Sequence, residues 1–130
     1  MLDTYAILAL YRDEPAGARV EARLTAGEPW MTLVNLAEVA YVVERSGGKV
    51  AADEACADLL APDRPSGMAI QWYPIDETIV RRAAWLKALG GMSLADCFAA
   101  AAAALLDCPV LTGDREFEVA EAAGITVEWL

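Results

Sequence analysis

Short apolar runs rich in β-formers recur along the chain and alternate with longer segments of helical periodicity, the pattern of a parallel sheet covered by helices. The runs predict strands near Leu2, at Trp30 to Leu33, Met68 to Tyr73, Pro109 to Thr112 and Ile125 to Trp129. Helices are expected over most of the sequence between them. Gly47-Gly48 separates two helical stretches, Pro62 to Gly67 reads as a loop, and Gly90-Gly91 ends the helix that begins near Asp76. Between Leu94 and Leu106 six consecutive alanines, Ala99 to Ala104, combine high helix propensity with small side chains, which suits a helix lying close against the sheet. The expected fold is α/β, a three-layer sandwich with a central, mainly parallel sheet flanked by helices. With 130 residues, 57% of them hydrophobic, residues 1–130 have the size of one domain that buries a core without covalent staples.

Histidine is absent from the sequence, which removes Ser-His-Asp and Cys-His catalysis, histidine-bound zinc and the commonest general base. Catalysis, if there is any, must run on acids. Cys56, Cys97 and Cys108 are odd in number and form no C-x-x-C, so neither a disulfide framework nor a zinc knuckle is suggested. Cys97 has no histidine to activate it and reads as a buried structural thiol. The start of the chain lacks a basic and apolar leader, and no apolar stretch approaches the ~18 residues of a membrane span, so a cytoplasmic protein is expected. A formal charge of −10, from 20 acidic and 10 basic residues, argues against a broad basic surface for nucleic acid. A nucleic-acid substrate would need metal ions or localised arginines to offset that field. Phosphate-binding motifs such as G-x-x-x-x-G-K-[ST] and G-x-G-x-x-G are also missing, and nucleotide cofactors are not expected.

Four acids stand out by position. Asp3 follows the first apolar segment and Asp114 follows the strand ending at Thr112, so both should lie beyond the carboxyl ends of parallel strands, where open α/β sheets place their sites. Glu38 falls early in the helix after the second strand, and Asp96 in the first turn of the alanine-rich helix. Each acid also sits where a helix start welcomes it: Asn35 to Glu38 and Ser93 to Asp96 read as capping boxes, and Asp3 and Asp114 as N-caps. Capping does not predict that the acids share one edge of the sheet. If they do, their mutual repulsion calls for a hard divalent cation such as Mg²⁺ or Mn²⁺, which suits phosphodiester hydrolysis.

The ordered set Leu2-Asp3-Thr4, Asn35 to Glu38, Ser93-Leu94-Ala95-Asp96 followed by Cys97-Phe98-Ala99-Ala100, and Leu111-Thr112-Gly113-Asp114 with Phe117 after it, resembles the PIN-domain ribonucleases. It is similar in particular to the toxin half of VapBC-type toxin–antitoxin pairs. The resemblance spans nearly the whole chain. It departs at the start, where only Met1 and Leu2 precede Asp3, fewer than the family's first strand usually has. The resemblance implies that Asp3, Glu38, Asp96 and Asp114 hold one or two Mg²⁺ or Mn²⁺ ions and cut RNA. It implies that Ser93 and Thr112 support them, that Thr4 orients Asp3, and that the protein is a homodimer inhibited by an antitoxin segment laid across the active-site groove. An antitoxin arginine would pair well with such an acidic site.

Other features take blander readings. Trp30, Trp72, Trp85 and Trp129 are expected in core or dimer contacts rather than stacked on bases. Arg81, Arg82 and Lys87 read as a solvated helix face pairing with nearby acids, and Arg115 beside Asp114 is the better candidate for a phosphate contact. The competing functional reading is a non-catalytic PIN-like interaction module whose acids survive as caps. Phosphatase and receiver domains also build on aspartates, but Asp3-Thr4-Tyr5 is not a D-x-D, and a receiver's lysine near the final strand is missing.

Overall fold

The computed structural model describes residues 1–27, 29–61 and 70–130. Along the chain run α1 (Thr4–Tyr11), α2 (Gly17–Ala26), β1 (Trp30–Thr32), α3 (Leu33–Leu60), β2 (Gln71–Tyr73), α4 (Glu77–Leu89), α5 (Leu94–Leu106), β3 (Val110–Thr112), a 3₁₀ turn (Arg115–Phe117), α6 (Glu118–Ala122) and β4 (Val127–Trp129). The strands are shorter than the apolar runs that predict them: Leu33 opens a helix instead of ending a strand, and β4 begins at Val127 rather than Ile125. Met68, Ala69 and the expected loop of residues 62–67 lie outside the described residues.

Two parallel ladders, β1 with β2 and β3 with β4, are joined by the first two residues. Leu2 forms a parallel bridge to Leu111 and donates its amide to the Trp30 carbonyl at 2.8 Å, while the Leu111 amide donates to the Met1 carbonyl at 2.8 Å. The row therefore reads β2, β1, Met1–Leu2, β3, β4. The chain steps outward from Leu2 to one edge, then returns to fill the other side. Such a reversal in strand order opens a crevice beyond the carboxyl ends of the two strands that flank it. Here those strands are the Leu2 segment and β3.

Successive strand residues enter opposite cores, as the period of two requires. Met1, Trp30, Tyr73 and Val110 pack with α4, α5 and α6, whereas Leu2, Met31, Trp72 and Leu111 pack with α1, α2 and α3. Helices thus cover both faces, which makes the three layers. Ala99 to Ala103 are wholly buried, and the small side chains let α5 lie close to both the sheet and α4. Gly48 takes φ of +83° inside α3 and divides it into two helical stretches, a conformation glycine adopts without steric cost. Gly90, at φ +80°, ends α4.

Trp30 meets Tyr73 edge to face, with centroids 6.2 Å apart, as a core aromatic should. Trp85 is no core residue in this chain: it is 46% exposed, with the Arg82 guanidinium 5.0 Å over its ring. Arg81 pairs with Glu77 one turn away, and the Lys87 ammonium donates to the Met92 carbonyl. No helix among the described residues is long and apolar enough to cross a membrane.

Candidate active site

One cleft of about 280 Å³ is lined by Asp3, Glu38, Asp96 and Asp114, together with Thr4, Tyr5, Leu8, Val42, Ser93 and Glu116. All four acids singled out in the sequence therefore meet, at the crevice where the strand order reverses. The convergence follows from local rules. Asp3 ends the first extended segment and caps α1, its Oδ1 accepting the Ala6 amide at 2.9 Å. Asp114 lies two residues past β3 and caps the 3₁₀ turn, its Oδ1 accepting the Glu116 amide at 2.9 Å. Asp96 completes a capping box with Ser93: its Oδ2 accepts the Ser93 amide at 2.9 Å, and its own amide donates to Ser93 Oγ at 3.1 Å.

The second expected capping box is not formed. Thr32 caps α3, its hydroxyl accepting the Asn35 amide at 3.2 Å, so Glu38 lies beyond the first turn and does not cap. Asn35 is fully buried and spends its side chain on tertiary contacts. Its Oδ1 accepts the Thr32 hydroxyl at 2.5 Å, and its Nδ2 donates to the Ala95 carbonyl at 3.1 Å and to Thr4 Oγ1 at 3.4 Å. Thr4 adjoins Asp3, Ala95 adjoins Asp96, and Glu38 is one turn from Asn35. A single amide therefore ties together the starts of the three helices that present these acids.

Thr112, rather than Thr4, orients Asp3. The Asp114 amide donates to Thr112 Oγ1 at 2.9 Å, and the Thr112 hydroxyl donates to Asp3 Oδ2 at 2.7 Å, so one relay of hydrogen bonds fixes two of the carboxylates. Glu116 is a fifth acid in the cleft that the sequence reading passed over; its Oε2 accepts the Ser93 amide at 2.9 Å and braces the 3₁₀ turn against α5. Its offset of two from Asp114 was the available signal. Arg115 turns away to pair with Glu118 and is not among the residues lining the cleft, where no lysine or arginine appears among the described residues.

Asp3 is 1% exposed and Asp96 5% exposed. Burial, opposed by the hydrogen bonds from Thr112 and Ala6 and reinforced by the charge of Asp96, pushes the Asp3 carboxyl up to about 7. Burial likewise raises Asp96 to about 6 against the hydrogen bonds from Ser93, with the charges of Glu38 and Asp114 adding to the rise. The folded state thus holds these protons more tightly than the unfolded chain. The stability contribution of each group is complete below about pH 4 and is lost as pH rises through about 6 for Asp96 and about 7 for Asp3. We expect the melting temperature of metal-free protein to fall between about pH 5 and pH 8, more steeply than in an Asp3→Asn/Asp96→Asn variant. Added Mn²⁺ should raise the wild-type melting temperature more at pH 8 than at pH 5, because protons compete for the same oxygens. Parallel melting curves for the two proteins would remove these carboxyls as the cause.

The donor chemistry of the cleft fits a hard divalent ion: the acidic side chains offer only oxygen, and like charges are crowded in a half-buried space. No group of three or more acidic or cysteine side chains is preassembled into a metal cage among the described residues. Mg²⁺ does not need one, since it is commonly held through one or two carboxylates plus waters and substrate phosphate.

Fold and cleft together define an α/β domain of doubly wound type with an acid-lined crevice at its switch point. A sequence profile described as PIN domain matches residues 1–123, and the chain belongs to the PIN domain family. Among solved structures, a Mycobacterium tuberculosis protein described as VapC20, a sarcin-ricin loop cleaving toxin, superposes with a TM-score of 0.70 at 20% identity, covering 99% of this chain and 98% of that one. A toxin–antitoxin complex from Klebsiella pneumoniae contributes a chain with a TM-score of 0.60 at 18% identity, covering 89% of this chain and 88% of that one. At these identities the likeness concerns the fold. No curated protein sequence matches the chain.

Proposed function

We propose that this chain, acting as a single domain over residues 1–130, is a Mg²⁺- or Mn²⁺-dependent endoribonuclease. The observation that carries the reading is the meeting of Asp3, Glu38, Asp96 and Asp114 in one cleft that no cationic side chain lines among the described residues. Helix capping accounts for three of these acids singly. It gives no reason to bury two of them beside other negative charges, at a cost in stability above neutral pH.

Asp3, Glu38, Asp96 and Asp114 would hold a divalent ion, which when bound would neutralise phosphate charge and activate water as a Lewis acid. The chain's own part is to hold the carboxylates in place. Thr112 and the Ala6 amide orient Asp3, Ser93 orients Asp96, and the Glu116 amide orients Asp114. The acid-lined cleft repels a bare phosphate, so RNA binding and ion binding are coupled.

The reading extends to a cytoplasmic toxin of a type II toxin–antitoxin pair, acting as a homodimer and inhibited by a cognate antitoxin. Family membership and the likeness to one chain described as a toxin and to another from a toxin–antitoxin complex support it. The cleft supports it too, since carboxylates recognise guanidinium bidentately and an antitoxin arginine would fit there. Purified protein is expected to cut single-stranded RNA with Mn²⁺ or Mg²⁺, to stop on chelation with EDTA, and to need more Mn²⁺ at about pH 5 than at about pH 8, because protons compete with the ion for the carboxylate oxygens. Gel analysis of a labelled RNA checks all three. Cleavage that persists unchanged in EDTA would overturn the metal-dependent reading, and intact RNA under every condition would favour a non-catalytic interaction module.

A further inference from the structure

Gly113, between Thr112 and Asp114, is a glycine for reasons of space. Its φ lies outside the left-handed region that Gly48, Gly90, Gly91 and Gly124 occupy. A Cβ placed on it would fall 2.5 Å from Cε1 and 2.7 Å from Cζ of Tyr5, and 3.0 Å from the Tyr5 hydroxyl. The phenol end of Tyr5 therefore rests on the bare backbone that leads into Asp114, and any side chain at 113 would displace it.

Tyr5 lines the cleft and is half-buried, yet its hydroxyl makes no hydrogen bond to the protein among the described residues. The other two hydroxyls of the cleft are held in place as acceptors, Thr4 Oγ1 from Asn35 Nδ2 and Ser93 Oγ from the Asp96 amide, whereas the Tyr5 hydroxyl is held by no hydrogen bond among the described residues. The remaining polar side chains that line it are carboxylates, which only accept when ionised. An uncommitted O–H donor is thus seated among acceptors, with no arginine or lysine lining the space among the described residues.

We propose that Tyr5 is a substrate-contacting residue whose hydroxyl donates to a phosphate oxygen of the bound RNA strand, with Gly113 kept small to seat its ring. The inference rests on the ribonuclease reading above. A neutral donor suits the place: it contacts the phosphate without competing with a divalent ion for the carboxylates, as an arginine would.

The test is Tyr5→Phe, which keeps the ring on Gly113 and removes only the hydroxyl. Steady-state cleavage of a short fluorescent RNA with Mn²⁺ should show KM raised about 10-fold or more, the range of a hydrogen bond to a charged group. The kcat should stay within about 2-fold, and the melting temperature should be unchanged. An unchanged KM overturns the inference, as does a fall in kcat alone. Methylphosphonates placed singly along the same RNA supply a second measurement. At one position the wild type should lose binding while Tyr5→Phe loses no more; a Tyr5→Phe defect that persists at every position overturns the phosphate contact. Wild-type protein that leaves the RNA intact overturns the ribonuclease reading and this inference with it. Wild-type cleavage equalled by Tyr5→Phe overturns this inference alone.

Discussion

Asp96→Asn is expected to lower metal-dependent RNA cleavage by at least ~10²–10³-fold, the scale of losing one electrostatic group aimed at a reacting phosphate. The fold should survive. Asparagine presents a carbonyl oxygen of the same shape, so it can still accept the Ser93 amide and close the capping box that starts α5. What disappears is the negative charge, and with it a ligand for the ion. Above about pH 6 the metal-free variant should even melt slightly higher than wild type, because a buried carboxylate facing Glu38 and Asp114 has been neutralised. Circular dichroism melts beside a cleavage time course separate the two effects. Full cleavage by folded Asp96→Asn would remove Asp96 from the chemistry.

Asn35→Ala should have the opposite profile, with a large loss of stability and a loss of activity that follows from it. Truncation leaves the Thr32 hydroxyl without its acceptor at a fully buried position, and removes the donor to the Ala95 carbonyl. Each such loss costs about 1–3 kcal/mol, and together about 2–4 kcal/mol is expected, or a fall in Tm of roughly 10 °C. Activity should drop even at temperatures where the variant is folded, because the amide spans the starts of α1, α3 and α5 and so sets the spacing of Asp3, Glu38 and Asp96. Thermal melts and cleavage at about 15 °C check the two parts. A variant as stable as wild type would mean that the tether contributes little.

The alternation of β-rich runs and helical periods foretold the parallel, helix-covered sheet, because burial on both faces and crossover connections leave that mark on local sequence. Ser93 to Asp96 was legible as a capping box, since all its partners lie within one turn. Asn35 to Glu38 misled for the complementary reason. Thr32 and Asn35 are both polar and three residues apart, and nothing local reveals that Asn35 is drawn away toward Ala95, sixty positions further along. The strand order was likewise hidden, because the reversal at Leu2 depends on which runs pair and not on the runs themselves. The four acids were found by the rule that sites gather beyond strand ends. In the relay from Asp114 through Thr112 to Asp3, the Thr112–Asp3 bond joins residues 109 positions apart, a distance no spacing argument bridges. Tyr5 escaped notice because it lies in the first turn of an apolar helix, and the glycine that makes room for it is far away in the sequence.

Crystals soaked in Mn²⁺ and measured at a wavelength where manganese scatters anomalously test the centre of this account. One or two anomalous peaks should lie in the cleft, within coordinating distance of carboxylate oxygens from Asp3, Glu38, Asp96 or Asp114, and should vanish in crystals of Asp96→Asn soaked alike. A map with no peak among these carboxylates at saturating Mn²⁺ and about pH 8 would contradict it.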